Sequence, residues 1–252
     1  MTSDELVAAL IRGRSTHHQE LSVEFGGLDA AEALRTQLEV ADRVLGSGGR
    51  IGGWKAGFTS GDNRDRLGAT MRPFGFFPDE QILGSGQDVV LDDLNDPQLE
   101  AEVCLILGEA LTGDVSYDQA RAAVRSVAAA FEVTSRRVPP DHPDRQTMEM
   151  ADGMNGWAII VGEEIPVADL SAAMGVRLAR DGQTVTHTTF GDANLTDPFL
   201  SLVHMASTLA TYGTGLAAGQ RIITGAIAKA PATPGRWTAD FEDLGQVAVS
   251  FR

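Results

Sequence analysis

The chain has 252 residues, 43% of them hydrophobic, and a formal charge of −15. That is enough to bury one sizeable core, and the acidic balance argues against a nucleic-acid or anionic-membrane surface, which needs clustered Lys and Arg. Cys104 is the only cysteine, which excludes an intrachain disulfide and a multi-cysteine zinc site. No apolar run reaches the roughly 18 residues that span a bilayer, and the N-terminus lacks a signal-peptide pattern, so a cytoplasmic location is expected.

The first predicted element is a helix, with Thr2 and Glu5 at capping-box spacing and Leu6, Ala9 and Leu10 on one stripe. Asp29 and Glu32 repeat that spacing ahead of a second helix through Leu34, Leu38, Ala41 and Leu45, ended by Gly46 to Gly49. "RIGGWKAGFT" and "AEVCLILG" then read as glycine-bounded strands. "SYDQARAAVRSVAAAFEV" reads as a helix capped by Ser116 and Gln119, burying Ala120, Val124, Val127 and Phe131, with a strand starting near Phe131. Residues Arg136 to Asp152 form a polar, proline-containing loop, long enough to suggest a role beyond connection. Strands follow at "WAIIVG" and across an Asp181-Gly182 turn in "GVRLARDGQTVTH". A helix from an Asp197 cap and Pro198 runs to about Tyr212, and strands at "QRIITGAI" and "QVAVSF" close the chain. The class is α+β, with an N-terminal helical segment (1–50) leading into a strand-rich body (51–252) that forms one structural unit.

Alternation on the strand "QLEAEVCLIL" puts Glu100, Glu102, Cys104 and Ile106 on one face. Two carboxylates two residues apart lie within about 7 Å of each other and repel. A divalent cation between them relieves this, and oxygen ligands suit Mg²⁺, Mn²⁺ or Ca²⁺ better than zinc; a solvated polar face is the alternative. Glu132, after the apolar "VAAAF", is a third carboxylate in a buried setting, or else a surface residue at a helix end. Lys55, in "GGWKAGF", is either a carboxylate partner and acid/base group or an ordinary strand lysine facing water. Cys104 shares the glutamate face and reads as a small buried hydrophobe.

"GGWKAGFTS", "PFGFFPDE", "LEAEVCLILG", "AAFEVTSRR", "LATYGTGLAAGQRIITGAIAKAP" and "ADFEDLGQVAVSF" occur in one order over most of the chain. That series resembles the 2-keto-4-pentenoate hydratase and 4-oxalocrotonate decarboxylase branch of the fumarylacetoacetate hydrolase superfamily. The resemblance implies a mixed β-roll or sandwich with flanking helices, assembled as a homo-oligomer, in this branch also in association with a pathway enzyme. It implies Glu100, Glu102 and Glu132 as ligands of one Mg²⁺ or Mn²⁺ that chelates a small 2-oxo acid or its dienol and stabilises the enolate. It further implies Lys55 as an acid/base or carboxylate-binding group, an acidic catalytic residue at Asp79 or Glu80, and substrate contacts from Asp152, Thr224 and Gly225. Arg136 and Arg137 align loosely with a family segment. On the long loop, Arg136, Arg137 and Arg145 are placed to pair with a distal carboxylate of a bound acid.

The chain departs from the family where "DGMNGW" replaces a small polar lining, bringing in Met154, Asn155 and Trp157, and where "LTDP" puts Thr196 and Asp197 in place of Gly-His. Water addition to a 2-hydroxydienoic acid is the leading expectation, with decarboxylation of a 2-oxo diacid as its rival. A divergent cyclase or isomerase and a non-catalytic partner subunit are further alternatives. Hydrolytic carbon–carbon cleavage needs a His-Glu pair. His17 and His18 have no clear context for it, and His142, His187 and His204 are unplaced.

Overall fold

The computed structural model describes residues 3–16, 21, 24–167 and 170–252; the expected cap Thr2 and the pair His17 and His18 lie outside them. Among the described residues the order is α1 (Ser3–Thr16), α2 (Ala30–Leu45), β1 (Ile51–Ala56), β2 (Phe74–Pro78), β3 (Ile82–Gly84), β4 (Gln87–Val89), β5 (Gln98–Leu107), α3 (Tyr117–Ala123) and β6 (Val124–Thr134). Then come α4 (Arg145–Ala151), β7 (Gly156–Val161), β8 (Ile165–Pro166), β9 (Gly175–Arg180), β10 (Gln183–Thr189), α5 (Pro198–Ala210), β11 (Arg221–Ile223), β12 (Ala228–Pro231), β13 (Gly235–Phe241) and β14 (Gly245–Phe251).

Local chemistry sets the helix starts. Asp29 accepts from the Glu32 amide at 2.8 Å while Glu32 accepts from the Asp29 amide at 2.9 Å, closing the expected capping box of α2. Ser116 and Gln119 do the same for α3. Asp197 caps α5 through the Leu200 amide with Pro198 in the first turn, where its missing N–H is not needed. Helix α2 is tied to the body by Gln37, whose Nε2 donates to the carbonyls of Phe74 and Met150.

Two segments differ from expectation. The helix predicted from Ser116 towards Phe131 stops at Ala123, and Val124–Thr134 is strand β6, so Glu132 stands inside a strand. The run from Val127 to Val133 is buried on both faces, and its pairing with β5 along nearly its full length outweighs the helix propensity of its alanines. The long polar loop folds its second half into α4.

Two sheets carry the body. The larger runs β2-β1-β11-β5-β6-β7-β3, with β12 extending along β5 and β8 along β6; the smaller runs β10-β9-β13-β14-β4. Ala101, Val103, Leu105, Val127, Ala129, Phe131 and Val133 of the larger sheet join the main core with Val176, Leu178, Trp237, Ala239, Val247 and Val249 of the smaller one. The opposite face of the larger sheet is concave. Its ends approach, with Phe77 of β2 against Gly156 of β7, and it encloses a separate apolar cluster of Phe77, Cys104, Ile106, Ala128, Ala130, Ile159 and Ile223. The polar cleft opens at one end of this enclosed cluster.

Candidate metal centre and active site

Register brings the charged residues into adjacent rows on the concave face. Glu100 of β5 lies directly across from Glu132 of β6 on one side and from Lys229 of β12 on the other. Glu102 is in the next row inward, opposite Ala130, and the row below it holds Cys104 and Ile223, with Lys55 of β1 beside Ile223. Apolar side chains thus close the floor. Among the described residues, the three carboxylates line the open cleft above this floor.

Carboxylate oxygens of Glu100, Glu102 and Glu132 lie within 4.8 Å of one another, with Glu102 and Glu132 buried. Lys55 Nζ is 2.5 Å from Glu132 Oε1 and donates to the Met154 carbonyl at 3.2 Å. Glu102 Oε2 accepts the Gly225 amide at 2.7 Å. Gly225 has φ of +128°, and a Cβ there would collide with Thr59 and Leu195, so only glycine brings this amide in so close.

One lysine does not neutralise this group. Three carboxylates and one ammonium leave a formal charge of −2, and the second Glu132 oxygen is buried with no hydrogen-bond partner. Burial, with the charges of Glu132 and Glu100 added, pushes the Glu102 carboxyl well above the usual range. Burial also raises Glu132 to about 7, although Lys55 opposes it. Burial would lower the Lys55 ammonium, but Glu132 and Glu100 outweigh it and hold it above the ordinary lysine value. An all-oxygen donor set with a −2 deficit and an orphaned buried oxygen fits a divalent cation. Lys55 is thus a charged donor in this arrangement.

The cleft has a volume of about 680 Å³. Besides the four residues above, its lining includes Thr134, Arg136, Arg145, Met154, Asn155, Gly225 and Lys229. Met154 and Asn155 adopt φ values of +59° and +60°, strained for residues with side chains, in a turn that carries the carbonyl bound by Lys55.

Several expected residues stand elsewhere. Asp79 is half-exposed and pairs with Arg50 at 2.9 Å, and neither it nor the exposed Glu80 lines the cleft, because the turn after β2 directs both outward. Arg137 and Asp152 are both buried and bind each other, Arg137 Nε lying 2.9 Å from each Asp152 oxygen. That pair supports the 153–156 turn from below, with Arg14 donating to the Asp152 carbonyl, and leaves neither side chain free for a ligand. Thr224 is fully buried and does not line the cleft, whereas its neighbour Gly225 does. Thr196 bonds Thr59 and the buried Arg72, and Asp197 is spent as a cap. His142, His187 and His204 do not line the cleft. Cys104 is buried in the floor, its thiol pushed up to about 12 by burial.

Sequence reasoning missed Lys229, although the alternation in "AIAKAP" marks it as the polar face of a short strand. It also missed Gln98, Asp96 and the 56–63 segment of the lining, which no local pattern distinguishes from other loop residues.

Comparison with known proteins agrees with this geometry. The profile of the fumarylacetoacetate (FAA) hydrolase C-terminal family matches residues 57–249. A 4-oxalocrotonate decarboxylase of Pseudomonas sp. is 32% identical over 225 residues, covering 88% of this chain and 86% of the relative. A 2-keto-4-pentenoate hydratase of Paraburkholderia phymatum is 29% identical over 228 residues, covering 88% and 86%. The structure of 4-oxalocrotonate decarboxylase from Pseudomonas putida G7, complexed with magnesium and adipate, superposes with a TM-score of 0.87 over 100% of this chain and 99% of that one, at 25% identity. Hydratase and decarboxylase relatives of nearly full length make this an enzyme of the lyase type. With most of the chain inside the profile and all of it superposed on a relative, the protein belongs to the fumarylacetoacetate hydrolase family.

Proposed function

We propose that this protein is a divalent-metal-dependent lyase that adds water to a small 2-hydroxydienoic acid or its 2-oxo tautomer. The observation that carries the reading is the deficit of −2 among Glu100, Glu102, Glu132 and Lys55 at the closed end of a cleft. A divalent cation held by the three glutamates, Mg²⁺ first and Mn²⁺ second, would supply Lewis acidity to the carboxylate and 2-oxo oxygens of the substrate.

The chain's own groups do the rest. The Gly225 amide fixes the orientation of Glu102. Lys55 stays protonated beside Glu132, suited to donating a hydrogen bond or proton to a substrate atom. The floor of Cys104, Ala130, Ile159 and Ile223 keeps bulk water from beneath, so a reacting water enters through the mouth.

Loss of CO₂ from a 2-oxo diacid is the second reading, favoured by the 32% identity and the full-length superposition on decarboxylases. Among the described residues no helix is long and apolar enough to cross a membrane; we place the enzyme in the cytoplasm as a homo-oligomer. Supplying 2-hydroxydienoates and 2-oxo diacids with Mg²⁺, while following dienol absorbance and CO₂ release, tests both readings. Absorbance loss without CO₂ and with a product heavier by one water marks a hydratase, and CO₂ release a decarboxylase; neither signal from any small acid defeats the proposal.

A further inference from the structure

We infer that the outer half of the cleft is a carboxylate-recognition subsite formed by Arg136, Arg145 and Lys229, and that the substrate is therefore a dicarboxylic acid; this rests on the metal-centre reading and holds for either reaction.

Adjacent arginines of the same segment are sorted to different tasks. Arg137 turns inward and is consumed by Asp152, whereas Arg136 emerges into the cleft. The Arg136 side chain is not needed to hold its own segment, because its backbone is already fixed on both sides by Asn95: the Arg136 amide donates to the Asn95 carbonyl, and Asn95 Nδ2 donates to the Arg136 carbonyl, each at 2.7 Å. Its guanidinium is steadied by Asp96 through Nη1 alone, at 2.6 Å. Arg145 is steadied by Glu149 through Nε alone, at 2.7 Å. A guanidinium carries five N–H donors. Among the described residues the remaining donors of both have no partner, and a forked donor held from behind is suited to a carboxylate.

Position agrees with this assignment. Arg136 lies four residues beyond Glu132, roughly 13 Å along an extended chain at about 3.3 Å per residue. The two side chains bridge part of that span, and a short carbon chain with an acid at each end fills the remainder. Lys229, directly across from Glu100 and without an ion-pair partner among the described residues, supplies a third cation beside that path. A cleft of about 680 Å³ is far larger than a five-carbon monoacid needs.

Calorimetric titration of the Mg²⁺-containing protein with adipate and with hexanoate, equal in carbon number and differing by one carboxylate, tests the assignment. Adipate is expected to bind at least about tenfold more tightly, and Arg136→Gln with Arg145→Gln to close that gap to within about twofold. Lys229→Gln, on an exposed strand residue, should narrow the gap on its own and serves if the double variant does not fold. Equal binding of the two acids by the wild type, or a gap that persists in the variants, overturns the assignment. Mg²⁺ titration of the same proteins without acid is expected to show one equivalent bound in each, so that a closed gap is not a lost metal site. Repeating the pair of acids without Mg²⁺ keeps the two readings separable: an adipate preference that survives there supports the subsite even where metal binding fails.

Discussion

Replacing Glu102 by Gln separates a metal-ligand role from a structural one. With carboxylate oxygens within 4.8 Å, like charges at an effective dielectric near 20 repel by about 3 kcal/mol per pair. Partial protonation of Glu102, and the solvent that reaches Glu100, reduce what is realised. The metal-free variant should therefore be as stable as the wild type, or more stable by up to about 2 kcal/mol. For a chain of this size that is a rise in Tm of up to roughly 4–8 °C. Glutamine keeps an oxygen to accept the Gly225 amide, so packing and backbone contacts are conserved. Metal should act in the opposite sense. At 100 times Kd a ligand of the folded state adds about 2.7 kcal/mol, so Mg²⁺ raises the wild-type Tm by roughly 5–11 °C and the variant's by little. Thermal unfolding with and without Mg²⁺ reads both effects. A metal-free variant several degrees less stable than wild type, or one that keeps the full Mg²⁺ shift, would refute the reasoning.

Other outcomes follow from the same contacts. Glu132 titrates near 7 when folded against about 4.5 when unfolded, so between those values the folded metal-free protein holds the extra proton and its stability falls as pH rises. Acidification from pH 8 to 6 should raise the metal-free Tm while weakening Mg²⁺ binding, because the ion displaces protons; a metal-free Tm that falls over this range contradicts the charge crowding. Asp152→Ala leaves Arg137 buried and unpaired and should destabilise the fold by about 3–5 kcal/mol; near-normal stability with a raised KM would instead return Asp152 to substrate contact. Cys104 should resist iodoacetamide in the native protein at pH 8 and react fully in denaturant, and rapid native labelling would contradict a closed floor beneath the glutamates.

What was legible in the sequence was local. The Asp29–Glu32, Ser116–Gln119 and Asp197–Pro198 signals located helix starts because a cap is satisfied within three residues. The β5 alternation located the Glu100–Glu102 face because a strand's two-residue period is intrinsic to the backbone. The sequence predicts helix up to about Phe131 where the chain forms strand β6, because a segment buried on both faces has no periodicity that separates strand from helix. Strand β13 does carry a readable local signal, because Trp237, Ala239 and Phe241 alternate cleanly as buried positions. Which of Arg136 and Arg137 reaches the cleft, and whether Asp79 does, depends on partners such as Asp152 and Arg50 that are distant in sequence.

The central claim is that the three glutamates hold a divalent ion on which the lyase reaction depends. Its most direct test is turnover of a 2-hydroxydienoate or 2-oxo diacid by protein stripped with a chelator, then titrated with Mg²⁺. Activity should vanish on stripping, return as one equivalent of Mg²⁺ binds, and fail to return in Glu102→Gln. Full turnover by the stripped protein, or restoration of the variant by Mg²⁺, would contradict the account.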